Sequence, residues 1–325
     1  MLNDPENLQK NARDYAGASI LRITYGMTSE KKKAYYVKLA DLAMQSFIEG
    51  SNHGSYMVDY FPSLKYIPSW VPGAGFKRQA AIWAQYVSDL NRHPWQYLKS
   101  SIANGTAIPS MATKGLDYVS SDIEKMEPVI QHICAVAYTA GTDTTVSLLL
   151  SLILVLVCHP ELQKRAQAEL DSVVGSDRLP DFKDRENLPY LDAIIKETQR
   201  MYPVAPLGLS HYSLEDDIYE GHFIPKGTTV VGNVWAVLHD ERIYPNPMEF
   251  KPERFLKQEG KPTAPDSAIY AFGFGRRVCP GRFYVLDAVW LVLACVLATL
   301  DVTKVFDIDG KEIEIVVQHT PGTIR

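Results

Sequence analysis

The sequence predicts a mainly α-helical protein with a small β part. Most of the first 200 residues place apolar side chains at mixed three- and four-residue spacing, which is the period of an amphipathic helix. Short segments rich in β-branched and aromatic residues appear only after Pro203. Of the 325 residues, 46% are apolar and 22% charged, which excludes a disordered or collagenous chain. No linker, repeat or low-complexity tract divides the chain, so we predict a single domain over residues 1–325.

The first helices are delimited by proline and glycine. Apolar periodicity predicts helices over 12–25 and 33–48. Three prolines and two glycines within 62–75 predict an irregular stretch after them. A helix resumes over 76–90, and Asn104-Gly105 marks a later loop.

The middle of the chain carries three further helices. The longest is predicted over 124–158, because Pro160 follows closely and ends the helical pattern. Proline is tolerated in the first turn of a helix, so Pro160 also suits the start of the next one, over 161–174. The third, over 189–201, begins with a proline, ends before Pro203 and places its apolar residues on one face.

The last third of the chain mixes short strands with loops and one long helix. Residues 217–221, 222–224 and 228–231 have strand composition and are separated by turn residues. A proline-rich meander follows them, and a long apolar helix is predicted over 281–300. The tail at 313–317, Ile-Glu-Ile-Val-Val, is predicted to be a strand.

Charge and cysteine content exclude some partners and settings. Lys and Arg number 33 and Asp and Glu 38, a net charge of −5, which lacks the basic excess of a nucleic-acid-binding protein. Four scattered cysteines are too few for a disulfide scaffold and favour a reducing compartment. The apolar runs at 146–158 and 288–300 have 13 residues each, fewer than the roughly 17 that span a bilayer, so both are interpreted as core helices.

One cysteine has an unusual setting. Segment 272–281 reads Phe-Gly-Phe-Gly-Arg-Arg-Val-Cys-Pro-Gly and lies just before the last helix. Its glycines let the backbone turn tightly and approach a flat ligand closely. The helix N-terminus, the backbone N–H groups and the two arginines all favour a negatively charged sulfur at Cys279. For Cys134, Cys158 and Cys295, an inert buried thiol is the better interpretation.

A second pattern is Glu197-Thr198-Gln199-Arg200, on the helix predicted over 189–201. Residues three apart lie on the same side of a helix, so Glu197 and Arg200 can pair. The spacing alone is a weak signal, because most such pairs are solvated and contribute little to stability. Its place upstream of Pro252-Glu253-Arg254-Phe255 and of the cysteine loop makes it informative.

A third pattern, Ala-Gly-Thr-Asp-Thr-Thr at 140–145, lies in mid-course of the longest predicted helix. Glycine and consecutive threonines are poor helix formers, and such local conflicts tend to mark functional positions. The structural alternative is a helix kink whose hydroxyl groups bond back to backbone carbonyls.

These three segments, in this order, resemble the cytochrome P-450 family. The family's loop pattern is Phe-x-x-Gly-x-Arg-x-Cys-x-Gly, and it is matched by Phe272, Gly275, Arg277, Cys279 and Gly281. The resemblance implies the family's fold and haem (iron protoporphyrin IX) as the cofactor. It also implies Cys279 as the axial ligand of the haem iron and Arg277 as a contact of a haem propionate.

The resemblance also gives roles to the other patterns. Asp143 and Thr144 match the family's oxygen-binding groove, where they would steer protons for O–O cleavage. Glu197, Arg200 and Arg254 would form the family's buried structural cluster, which ties the helix to the meander before the haem loop.

His211 stands where the family often has a second propionate partner, and an ordinary surface histidine is the open alternative. By analogy with the family, the substrate pocket would be lined by Val136, Ala137, Ala140, Val204, Ala205, Leu207 and Thr320.

The implied function is monooxygenation. One atom of O₂ would be inserted into a small apolar organic substrate, with electrons from NADPH delivered by NADPH–cytochrome P-450 reductase. Two alternatives stay open. One is a haem-thiolate isomerase or dehydratase that uses no O₂, and the other is a truncated, non-catalytic remnant.

The chain departs from the family's pattern at both ends. The family's N-terminal membrane anchor and its Trp-x-x-x-Arg helix have no counterpart, and the chain stops at 321–325, inside the last substrate-facing turn. We therefore expect a cytochrome P-450 fold that lacks its N-terminal portion and extreme C-terminus. In it, the apolar helix face at 148–156 is expected to be uncovered. The sequence is similar in style to fungal members near the O-methylsterigmatocystin oxidoreductase-like group, and a full-length relative is expected on the cytosolic face of the endoplasmic reticulum membrane.

Overall fold

The computed structural model describes residues 7–28, 30–52, 54–119 and 122–317. It confirms a mainly α-helical protein with a small β part. The α-helices are α1 (Leu8–Tyr25), α2 (Glu30–Ser51), α3 (Met57–Tyr60), α4 (Gly75–Ala103), α5 (Met111–Tyr118), α6 (Ile123–Cys158), α7 (Pro160–Val173), α8 (Pro189–Met201), α9 (Val234–Leu238), α10 (Ala268–Ala271) and α11 (Arg282–Thr299). The strands are β1 (His211–Tyr212), β2 (Asp217–Tyr219), β3 (His222–Ile224) and β4 (Thr229–Val230).

The chain forms two compact units, one ending at Val146 and the other beginning at Ser147. The single-domain interpretation stays a prediction. In the first unit, α2 packs against both α1 and α4. The phenol of Tyr138 in α6 donates a 2.6 Å hydrogen bond to the backbone carbonyl of Tyr36 in α2, which satisfies a fully buried hydroxyl.

Helix α4 is longer than predicted, since it runs to Ala103 and contains Pro94. A proline in a helix interior removes one backbone hydrogen bond and strains the preceding turn. Here Leu90, Trp95 and Leu98 are buried around the proline. Burial of this face stabilises the helix beyond the position where sequence spacing predicts its end.

The second unit is centred on α7, α8 and α11, which pack against one another. The bounds of α8 are the predicted ones, because proline punctuates both ends. A hydrophobic cluster connects α8 to the meander and to the segment before the cysteine loop. It contains Ala193, Val234, Leu238, Tyr244 and Phe255, with Tyr270 and Ala271 packed against it.

The β part consists of two separate antiparallel pairs, β1 with β4 and β2 with β3. The β2–β3 hairpin turns at Glu220 and Gly221, whose φ values of 48° and 83° suit a tight two-residue turn. The predicted strand at 313–317 is wrong. In the described part of the chain the pairing there is a single bridge between Phe306 and Glu312, which leaves the tail without a partner strand.

Helices α6 and α11 are long and apolar enough to cross a membrane, a criterion that core helices of soluble proteins also meet. In α11, the residues Val289, Trp290, Leu293 and Leu297 are buried, as a core helix requires. The expectation that the face at 148–156 is uncovered is wrong. Its apolar side chains Leu148, Leu149, Leu152, Val155 and Leu156 are each at most 3% exposed.

Candidate functional site

The cysteine loop is a closed turn between α10 and α11. Gly273 and Gly275 have φ values of 81° and 57°, a left-handed conformation that favours glycine. The backbone N–H of Cys279 donates a 2.8 Å hydrogen bond to the carbonyl of Phe272, which closes the loop. The residues of the predicted motif therefore have a defined backbone geometry.

Cys279 lies just before α11, two residues ahead of the N-cap residue Gly281, and is half-buried. A Cβ placed on Gly281 would lie 3.8 Å from the Cys279 Sγ atom, so the sulfur sits beside the first residues of this 18-residue helix. The positive end of the helix dipole favours negative charge at such a position. The side chain of Arg282 also donates a 3.3 Å hydrogen bond to the Cys279 carbonyl, which fixes the junction.

The side chains of the two arginines of the loop have no partner among the described residues. Arg276 and Arg277 are exposed, and neither guanidinium forms a hydrogen bond or ion pair with any residue in the described ranges. Most other arginines of the second unit hold a carboxylate, as Arg178 holds Asp184 at 2.6 Å. Arg277 is thus available to bind an external anion.

Gly232 contributes to the loop and was missed by the sequence analysis. A Cβ on Gly232 would come within 2.8 Å of the Phe274 ring, so a larger residue here would force the ring or the backbone after β4 to shift. The available signal was a glycine directly after a predicted strand, which marks a close backbone approach but not its partner.

The structure brings Glu197, Arg200 and Arg254 together in a buried cluster. Arg200 makes a bidentate contact to Glu197, through Nε at 2.8 Å and Nη2 at 2.9 Å. The Arg254 Nε donates to Glu197 Oε1 at 3.1 Å. Glu197 and Arg200 are fully buried, and the side chain of Arg254 is 7% exposed. The Glu197–Arg200 ion pair is therefore desolvated, unlike the solvated surface pairs that this sequence spacing usually forms.

The cluster also holds the meander through backbone groups. The Lys251 N–H donates to Glu197 Oε1 at 2.7 Å, and Arg200 Nη1 donates to the carbonyl of Leu238 at 3.1 Å. Arg254 donates to the carbonyls of Pro245 and Glu249, both at 3.1 Å. One carboxylate and two guanidinium groups therefore fix the path of the chain that leads toward the cysteine loop.

Asp143 and Thr144 lie on α6, which is a continuous helix through the 140–145 pattern. The hydroxyl groups of Thr142, Thr144 and Thr145 each donate to the carbonyl four residues earlier, at 2.6–2.8 Å. Such hydrogen bonds to backbone carbonyls were expected if the pattern had only a structural role, as a helix kink. The bonds are present, and the helix is unbroken. Close packing against α1 explains the glycine at position 141, since a Cβ there would lie 3.0 Å from Ile20 Cδ1.

Sequence reasoning missed the partners of Asp143. Arg13 in α1 forms an ion pair with Asp143 at 3.5 Å and another with Asp41 in α2 at 2.6 Å. Burial raises the pKa of the Asp143 carboxyl, and the nearby Arg13 opposes this shift. No local pattern could reveal these contacts, because the three residues are far apart in sequence.

The remaining predicted residues are more exposed. His211 is an exposed residue of β1 paired with Val230, and its ring forms no hydrogen bond within the described residues. Of the predicted pocket residues, Val136, Ala140 and Leu207 are exposed and Ala137, Val204 and Ala205 are half-buried, while Thr320 lies outside the described residues. Cys134 is buried, and burial raises the pKa of its thiol to about 11, which keeps it neutral.

The fold is mainly helical, and a glycine-rich loop presents one cysteine just before a helix. A buried Glu-Arg-Arg cluster lies upstream of this loop. Together these are the features of a haem-thiolate protein. The chain belongs to the cytochrome P-450 family, whose profile matches residues 2–323. Haem is the cofactor of this family.

Several curated relatives align with this chain over its full length. The chain is 41% identical over 324 residues to cytochrome P-450 monooxygenase 208 of Postia placenta, covering all of this chain and 63% of that protein. It is 39% identical over 329 residues to a cytochrome P-450 monooxygenase of Ampulloclitocybe clavipes, of which it covers 60%. It is 38% identical over 330 residues to the tryptamine 4-monooxygenase of Psilocybe cyanescens, of which it covers 65%. The chain thus spans less than two thirds of the length of these fungal relatives.

The described residues fit a haem-thiolate site. No group of three or more His, Cys, Asp or Glu side chains within the described ranges could hold a metal ion. A single sulfur at Cys279 suits an iron whose other ligands come mainly from a porphyrin. Arg277, which has no partner among the described residues, offers the charge that a propionate needs.

Proposed function

We propose that this chain is the haem-binding part of a cytochrome P-450 monooxygenase that inserts one oxygen atom of O₂ into a small apolar organic substrate. Electrons would come from NADPH through NADPH–cytochrome P-450 reductase, which a full-length relative would meet at the cytosolic face of the endoplasmic reticulum membrane. The observation that carries the proposal is the closed loop that presents Cys279 at the start of α11, beside an arginine with no partner among the described residues. Family membership supports it.

Three residues of the loop and one histidine outside it have roles in this proposal. Cys279 provides a thiolate to the iron, and the start of α11 stabilises its negative charge. Arg277 binds a propionate, and Phe272 accepts the hydrogen bond that holds the cysteine in place. Haem, when bound, supplies the activation of O₂. His211 is a second candidate for a propionate, because its ring is exposed.

Asp143 and Thr144 are proposed to move protons. The Thr144 hydroxyl hydrogen is donated to the Ala140 carbonyl at 2.6 Å, so its oxygen remains free to accept a hydrogen bond from a passing water or acid. Asp143 is 21% exposed and has a raised pKa, so its carboxyl can carry a proton closer to neutral pH than an ordinary aspartate.

Oxygen consumption tests this function without a known substrate. The haem-loaded protein is mixed with NADPH and the reductase, and O₂ uptake is followed. A mixture of small apolar compounds is then incubated under ¹⁸O₂ and analysed by mass spectrometry. We expect reductase-dependent O₂ uptake and products carrying one ¹⁸O atom. A haem-thiolate protein that consumes no O₂ and converts a compound without gaining ¹⁸O would be an isomerase or dehydratase instead.

A further inference from the structure

One nitrogen atom of the Arg13 guanidinium contacts two carboxylates. Its Nη1 lies 2.6 Å from Asp41 Oδ1, where it donates a hydrogen bond, and 3.5 Å from Asp143 Oδ1. The three side chains come from α1, α2 and α6, and all belong to the first unit. They are 31%, 35% and 21% exposed, so solvent screens them only in part.

The charges of this trio do not balance. One guanidinium faces two carboxylates, which leaves a net charge of −1 when both acids are ionised. Of the other nearby groups, Tyr138 of α6 is a buried phenol whose hydrogen goes to a backbone carbonyl. The next charged residue on α1, Asp14, pairs with Lys10 at 3.7 Å. Neither supplies a positive charge to the second carboxylate.

The unequal distances show which carboxylate holds Arg13 more firmly. Asp41 has the hydrogen bond, and Asp143 has only the longer ionic contact. Burial raises the pKa of both carboxyls, and the charge of Asp143 raises that of Asp41 further, while Arg13 opposes each shift. A carboxylate that loses an opposite charge at this range is easier to protonate.

We propose that Arg13 is a positioning residue for which Asp41 and Asp143 compete, so that Asp41 on α2 sets how firmly Arg13 holds the Asp143 carboxyl. The meaning of this competition for catalysis rests on the proposed function, in which Asp143 carries a proton. Removal of Asp41 should let Arg13 move fully onto Asp143. Removal of Arg13 should leave Asp143 without an ion-pair partner among the described residues.

Two variants should shift the titration of Asp143 in opposite directions. In Asp41→Asn the protonation midpoint of Asp143 should fall by about one pH unit, because Arg13 then serves it alone. In Arg13→Ala the midpoint should rise by about one pH unit, and in Arg13→Lys it should stay between that value and the wild-type one. Asp14→Asn, one residue from Arg13 but paired with Lys10, is the matched control and should leave the midpoint unchanged.

The midpoint is read by infrared spectroscopy, from the C=O stretch of the protonated carboxylic acid. Subtraction of the Asp143→Asn spectrum assigns the band. Opposite shifts in Asp41→Asn and Arg13→Ala support the inference, whereas equal midpoints in both, or the same direction of shift, overturn it. If Arg13→Ala does not fold, the Asp41→Asn and Arg13→Lys pair decides in the same way.

A pH profile connects the inference to the reaction. If the protonated Asp143 donates the proton, product formation falls as pH rises through its pKa, so Asp41→Asn should move this decline to lower pH. The infrared titration needs no turnover. A protein that binds no haem or consumes no O₂ would contradict the proposed function, while the carboxyl titration would still decide whether Asp41 and Asp143 compete for Arg13.

Discussion

Glu197 is the shared acceptor of the buried cluster, and its replacement is the perturbation whose size the structure defines best. Its carboxylate accepts two hydrogen bonds from Arg200, one from Arg254 and one from the Lys251 N–H. In Glu197→Ala, two guanidinium groups lose their counter-ion inside the protein. Removal of one partner from a buried ion pair costs about 3–5 kcal/mol, against a typical total stability of roughly 5–15 kcal/mol.

Thermal unfolding and haem content measure this loss. We expect Glu197→Ala to lower the Tm by on the order of 10 °C, and to yield little folded, haem-bound protein. The matched control is Glu253→Gln, which removes a carboxylate that is 27% exposed and pairs with Arg165, whose side chain is 52% exposed. This surface pair is worth about 0–1 kcal/mol, so the control should stay near the wild-type Tm. Equal Tm values and haem content for wild type and Glu197→Ala would refute the reasoning.

Two further predictions concern other parts of the second unit. Gly232→Val should destabilise the cysteine loop by about 1–3 kcal/mol and weaken haem retention, because a Cβ there comes within 2.8 Å of the Phe274 ring. Gly75→Ala, where a Cβ is 3.8 Å from the end of a flexible arginine, should be neutral in the same denaturation and haem-release assays. Arg178 hydrogen bonds lower the pKa of Asp184 from 3.8 to about 2, so the stability this carboxylate contributes is present above pH 3.8 and lost as pH falls toward 2. In urea titrations, Asp184→Asn should therefore be less stable than wild type at pH 6, and this difference should shrink as pH falls toward 2. A difference of the same size at both pH values would contradict this assignment.

Sequence patterns located those parts of the fold whose limits are set by local chemistry. Proline at both ends fixes α8 at Pro189–Met201, as predicted. The end of α4 was missed because buried side chains beyond residue 90 stabilise the helix through Pro94. The predicted strand at 313–317 has strand composition, but composition does not supply the partner that a strand requires.

The candidate site divides in the same way. The spacing of the cysteine loop predicts its closed turn, because glycine positions and the helix start are local features. The contact of Gly232 with Phe274 and the ion pair of Arg13 with Asp143 join residues that are far apart in the chain, and no local pattern encodes them. The 140–145 segment has poor helix formers, yet the helix continues through it, and the Thr144 hydroxyl donates to the backbone carbonyl four residues earlier.

The central claim is that Cys279 is the sulfur ligand of a haem iron, and the reduced carbon monoxide adduct tests it most directly. The red-shifted Soret band of this adduct depends on a thiolate ligand. Cys295→Ala is the matched control. Cys295 lies within α11, the helix that follows the cysteine loop, and burial raises the pKa of its thiol. We predict that the band is present in wild type and Cys295→Ala and absent in Cys279→Ala. A band that survives in Cys279→Ala and disappears in Cys295→Ala would contradict the account.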